Sequence, residues 1–111
     1  MKKVPSFKKK YLEGRDMLFG SLIKNNNGVL FNKSHGNLVD QLIIEIVKDI
    51  QITFPVSDFC LIAVGGYGRH DLSPKSDVDL LFIYKKSNKN IRDFITQLNN
   101  TLWDIGLEVG I

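Results

Sequence analysis

Asp77 and Asp79 stand one residue apart at the mouth of the apolar run Leu80-Leu81-Phe82-Ile83. In an extended strand successive side chains alternate between faces, so both carboxylates project to one side and Val78 to the other. Two anions held there repel each other and lose hydration. A hard divalent cation relieves both costs, because Mg2+ accepts oxygen ligands from one or two carboxylates and fills its shell with water and phosphate oxygens. An Asp-x-Asp pattern is also common as a solvated turn acid followed by the first residue of a strand, so the pair alone decides nothing.

A second feature lies just upstream. Gly65-Gly66 directly follows the apolar run Phe59 to Val64, and a backbone without side chains there lets a ligand approach closely. If a helix starts after the glycines, its free N–H groups favour a phosphate chain. The segment is not a P-loop, since Gly-Lys-Ser/Thr is absent, and Gly66-Tyr67-Gly68-Arg69-His70-Asp71 lacks the third glycine of a dinucleotide fingerprint. Arg69 has two readings, a phosphate partner or an exposed loop arginine. Ser76 also has two, a phosphate hydrogen bond or a local turn bond. For His70 a plain exposed loop residue is expected.

These residues need elements to hold them. Phe7, Tyr11, Leu18 and Leu22 recur at helical spacing and predict a helix over about 6–24, weakened by Gly14. Asn25-Asn26-Asn27-Gly28 is a turn. Leu38, Leu42, Ile46 and Ile50 step by four, predicting a second helix capped by Asn37 with those side chains in the core. Phe59–Val64 and Val78–Tyr84 read as neighbouring strands covered on both faces, and Cys60 as a buried small apolar residue. Ile91, Ile95, Leu98 and Leu102 mark a third helix, and a third strand is expected over 105–111. The order αα-β-β-α-β gives an α+β (α/β) domain. Residues 1–57 form an N-terminal helical segment, and 58–111 an incomplete core within one structural domain.

Composition bounds the rest. The chain has 111 residues, 43% hydrophobic and 24% charged, which suits one small globular domain. Its apolar stretches fall well short of the ~20 residues that span a bilayer, and the basic N-terminus lacks the apolar core of a secretory signal. A lone cysteine fits a cytoplasmic location. Net charge is +3, with a lysine cluster at positions 2, 3, 8, 9 and 10 that reads as a solvated helix end. Neither a nucleic acid nor a membrane is expected as a partner.

A strand, Gly-Gly, ten residues, then Asp-Val-Asp opening a second apolar strand resembles the polymerase-β-type nucleotidyltransferase superfamily. Gly65-Gly66-Tyr67-Gly68-Arg69, Ser76-Asp77-Val78-Asp79-Leu80-Leu81 and Leu102-Trp103-Asp104-Ile105-Gly106-Leu107-Glu108-Val109-Gly110 are similar, more narrowly, to the nucleotidyltransferase domain of the bacterial PII uridylyltransferase/uridylyl-removing family. The Gly14-Arg15 and Val39-Asp40-Gln41 segments are similar too. The resemblance implies a polymerase-β-like fold, a small mixed sheet flanked by helices, with its C-terminal part missing.

It also implies Mg2+-dependent transfer of UMP from UTP to a tyrosine of the PII nitrogen-signalling protein. Asp77 and Asp79 would be the catalytic metal ligands, and Gly65, Gly66, Arg69 and Ser76 would hold the nucleotide. His70-Asp71 departs from the family's usual Gly-Glu. The family also continues into a hydrolase domain and regulatory domains, so the chain reads as a fragment that is inactive in transfer by itself. A third metal-binding acid is expected in this superfamily, either Glu108 or an acid after Ile111. Two other readings stay open: a nucleotidyltransferase with another acceptor, and a nucleotide-binding module without catalysis. The last strand, Leu107 to Ile111, should leave an apolar edge open to self-association.

Overall fold

The computed structural model describes residues 4–69, 71–73 and 76–110. Seven elements follow in chain order: α1 Val4–Asn25, α2 Gly28–Thr53, β1 Phe59–Ala63, a short α3 Gly65–Gly68, β2 Val78–Tyr84, α4 Lys89–Asp104 and β3 Val109–Gly110.

The first two helices pair through close packing. A β-carbon on Gly14 would sit 2.9 Å from the Leu38 methyl carbons, so the glycine that weakens α1 also lets α2 approach. The reversal between them uses Asn26 at a φ of +51° and Asn27, whose side chain accepts from the Leu30 N–H at 3.1 Å. That is a helix N-cap. Along α2, Phe31, His35, Val39, Leu42, Ile46 and Ile50 form the buried stripe.

β1 and β2 pair antiparallel from Phe59↔Tyr84 to Ala63↔Leu80. β3 joins β2 in parallel, with Val78↔Val109 and Asp79↔Gly110, which gives a mixed sheet of order β1-β2-β3. Parallel pairing requires a crossover, and α4 supplies it. Asn88 caps α4 by accepting from the Ile91 N–H at 2.9 Å. Phe59, Phe82 and Phe94 meet with ring centroids 5.2–5.7 Å apart, locking the sheet to α4. The core joins Phe7 and Tyr11 of α1 and the α2 stripe to Val78, Leu80, Phe94, Leu98 and Leu102. Fully burying one such side chain contributes about 1.5–3 kcal/mol.

The helical period places three of the four α2 residues well. Leu42, Ile46 and Ile50 are buried, and Leu38 is partly buried against the same core. Other expectations are corrected. Asn37 is an exposed residue inside α2 and not its cap; the stripe continues upstream through His35 and Phe31, across Gly36, so the helix begins ten residues earlier, at Gly28 with Asn27 as its cap. The strands are not covered on both faces. Burial alternates along β1, and beyond Leu80 most of β2 is exposed. Cys60, Ile62, Leu81 and Ile83 lie on the open face, so Cys60 is exposed and not buried. A short apolar run does not distinguish one-sided from two-sided burial. The third strand is also shorter than expected, because Gly106 turns the chain at a φ of +102° before Val109.

Candidate functional site

Every element of the site converges where β1 ends and β2 begins. The Val64 N–H donates to the Asp79 carbonyl at 3.0 Å, tying the glycine turn to the aspartate strand. Gly65 has a φ of +63°, in the left-handed region that favours glycine. A β-carbon there would lie 2.7 Å from Asp79 Oδ2, and one on Gly110 would lie 3.2 Å from Asp79 Oδ1. The Asp79 carboxylate is therefore seated between two glycines, half-buried. Val78 is fully buried and Asp77 is exposed, as strand alternation requires. Among the described residues neither carboxylate has a salt bridge to a basic side chain. Two hard oxygen donors at the start of β2, beside the exposed Gly65, suit a magnesium ion that keeps water or phosphate in its remaining positions.

The glycine turn is built by backbone hydrogen bonds. Arg69 N–H donates to the carbonyls of Gly65 and Gly66, and Asp71 N–H to Gly66 at 3.0 Å. The Arg69 side chain folds back beside the glycines, with Nη2 3.9 Å from where a Gly66 β-carbon would stand. A Gly68 β-carbon would lie 2.5 Å from the Ala63 carbonyl oxygen, a backbone clash, so that glycine serves the fold. Ser76 forms the local turn: its N–H donates to Ser73 O at 3.2 Å, and the two hydroxyls share a short hydrogen bond. His70 lies outside the described residues.

Helices α1 and α2 fix the connecting loop through contacts the sequence did not advertise. Asn32 Nδ2–H donates to Asp71 Oδ1 at 2.7 Å. His35 is 1% exposed and spans two partners, Leu72 O at 3.1 Å from Nδ1 and the Tyr11 hydroxyl at 2.9 Å from Nε2. A carbonyl can only accept, so Nδ1 carries the proton and Nε2 accepts from Tyr11. Burial pushes His35 below the ordinary histidine range, partly offset by the Leu72 and Ser73 carbonyls. Beneath the glycine turn, the Tyr67 hydroxyl donates to Asp40 Oδ1 in a short hydrogen bond. Burial first, then that carboxylate, drives the Tyr67 hydroxyl far above its usual range. Asp40 is thus a support for the turn. The available signals were spacings: Tyr11 to Arg15 and Phe31 to His35 each lie one helical turn apart.

Glu108 does not complete a three-carboxylate centre. Among the described residues no three His, Cys, Asp or Glu side chains gather as a metal site. Glu108 instead lines a cavity of about 260 Å3 with Tyr11, Arg15, His35 and Ser76. Its backbone carbonyl accepts from the Val78 N–H at 2.8 Å, joining β3 to the aspartate strand.

Comparison with known proteins gives the family. The family model described as "Putative nucleotidyltransferase DUF294" matches residues 24–110. The chain is similar to the bifunctional uridylyltransferase/uridylyl-removing enzyme of Pseudoalteromonas translucida, 38% identical over 94 residues, covering 84% of the chain and 11% of that protein. It is 34% identical over 108 residues to the enzyme of the same description from Pseudomonas fluorescens, covering 96% of the chain and 12% of that protein. The Nitrosospira multiformis enzyme is 31% identical over 110 residues, with 93% and 12% covered. The chain therefore spans only about an eighth of the length of these relatives. No solved structure matches.

Proposed function

Because the chain belongs to the DUF294 nucleotidyltransferase family, we propose that its site handles UTP with Mg2+ for transfer of UMP to a tyrosine of the PII signalling protein. The relatives' description as uridylyltransferases supports this choice of nucleotide. The observation that carries it is the seat of Asp79 against Gly65, which sets a carboxylate beside the glycine backbone. In the reaction the tyrosine oxygen bonds to the α-phosphorus, the bond to the bridging oxygen breaks, and pyrophosphate leaves. The tyrosine proton passes to solvent or to a base. Bound magnesium would supply charge stabilisation to the attacking and leaving oxygens.

The chain's own residues have separate tasks in this reading. Asp77 and Asp79 hold the metal. Gly65 and Gly66 admit the phosphate chain, and Arg69, folded beside Gly66, offers it a guanidinium. Ser76 is engaged with Ser73 and reaches a phosphate only by exchanging that bond. The proposal places the reaction in the cytoplasm; among the described residues no helix is long and apolar enough to cross a membrane. It also keeps the edge of β3 as a surface for self-association.

One observation favours a second reading, nucleotide binding without transfer: no third carboxylate joins Asp77 and Asp79 among the described residues. Incubation with PII, Mg2+ and UTP labelled at the α-phosphate separates the two. Label on a PII tyrosine, lost in Asp77→Asn and Asp79→Asn, supports transfer. Magnesium-dependent UTP binding without label supports the second reading. Absence of both refutes the proposal.

A further inference from the structure

Arg15 is half-buried against Tyr11, whose hydroxyl it hydrogen-bonds and whose pKa it pulls down against the effect of burial. Its guanidinium lies over the rings of Tyr11 and Phe19, 5.6 and 5.8 Å from their centroids. A cation at this range over a ring face is attracted by the ring's quadrupole. The side chain is only 32% exposed, and its sole ion pair among the described residues is a 3.8 Å contact with Asp16, itself 71% exposed. Such a contact in solvent contributes little. Nε is buried with no hydrogen-bond partner. A sunken guanidinium held by ring faces and the Tyr11 hydroxyl keeps further donors, and these match phosphate geometry.

The cavity Arg15 faces gives that anion an identity. Ser76, the residue before Asp77, lines the same space, and so does Glu108. We propose that Arg15, with Ser76, forms a subsite for the phosphate chain of the nucleotide. The identity of the ligand rests on the nucleotidyltransferase reading; the existence of the anion site does not. Glu108 makes no ion pair among the described residues. Its carboxylate opposes a bare anion in this cavity, so removing its charge should tighten binding.

Calorimetry at low salt with inorganic tripolyphosphate, in metal-free buffer, isolates the subsite. Arg15→Met keeps the stem over the rings and removes the fork. It should weaken binding about 10- to 100-fold, the worth of a charge-assisted hydrogen-bonded contact. Arg15→Lys should lose less, and Glu108→Gln should bind more tightly than wild type. Matching far-ultraviolet dichroism and unfolding midpoints for Arg15→Lys show that the effect is not unfolding. Wild-type chain that ignores tripolyphosphate, or Arg15→Met that binds it as wild type does, overturns the inference. UTP with Mg2+ tests the parent reading separately. If its binding needs Asp77 while tripolyphosphate does not sense Arg15, the subsite falls and the proposed function stands. If tripolyphosphate senses Arg15 but UTP with Mg2+ does not sense Asp77, the anion site stands and the transferase reading falls.

Discussion

Gly65→Ala should damage metal and nucleotide binding more than it damages the fold. A non-glycine residue in the left-handed region costs roughly 1–2 kcal/mol, and Gly65 has a φ of +63°. Alanine recovers roughly 0.4–1 kcal/mol by restricting the unfolded chain, so the net loss is about 1 kcal/mol. That corresponds to about 3–6 °C in midpoint for a domain of this size. The added β-carbon would stand 2.7 Å from Asp79 Oδ2. Restoring an ordinary carbon–oxygen separation of roughly 3.3 Å moves the carboxylate by about 0.6 Å. Magnesium demands near-ideal octahedral geometry with bonds of roughly 2.0–2.1 Å, so such a shift should weaken Mg2+-dependent UTP binding about tenfold. Gly106→Ala is the comparison for strain, since Gly106 also has positive φ and its β-carbon would meet nothing within 4 Å. Calorimetric titration of both variants, with thermal unfolding alongside, makes the test. Gly65→Ala with wild-type affinity and a stability loss like that of Gly106→Ala would show that the glycine serves only the turn.

Three further outcomes are expected. The folded state keeps His35 neutral at a depressed pKa, so its contribution to stability is complete above the unfolded value of roughly 6.5 and is lost as pH falls below it. Urea unfolding across that window should show a fall that His35→Gln removes. Tyr67 has a raised pKa, so its contribution is complete below roughly pH 10 and declines above it; Tyr67→Phe, which leaves Asp40 without this donor, should cost about 1–3 kcal/mol in chemical denaturation. Cys60 should react with an aromatic disulfide reagent in the native protein at nearly the rate of the unfolded chain, because it is exposed. Strong protection would show that its sheet face is covered in solution.

Sequence patterns revealed the parts of this protein whose physics is local. The four-residue steps of α2 report burial because a helix turns once every 3.6 residues, and the alternation of Asp77, Val78 and Asp79 reports strand geometry in the same way. The Asn-rich reversal before Gly28 was legible because positive φ and capping belong to particular side chains. Long-range facts were not legible. Whether Cys60 and Ile62 face a helix or solvent depends on a layer that no periodicity specifies. Asn37 reads as a cap beside Gly36, yet tertiary packing of Phe31 and His35 carries α2 through it. His35 reaching Leu72, and Arg15 sharing a cavity with Ser76, join residues dozens of positions apart. The glycine–aspartate pairing was visible only as a resemblance; the seat of Asp79 against Gly65 gives it a physical reason.

The most direct measurement is UTP affinity with and without Mg2+ in wild type and Asp77→Asn. Asn keeps the shape of Asp77 and removes one metal-ligating charge, so the exposed position should leave the fold unchanged. Wild type should bind UTP at least tenfold more tightly with Mg2+, and Asp77→Asn should lose most of that gain while unfolding at the same temperature or higher. Equal magnesium-dependent affinity in the two proteins would mean that the carboxylate pair does not hold a metal, which contradicts the proposed chemistry at its root.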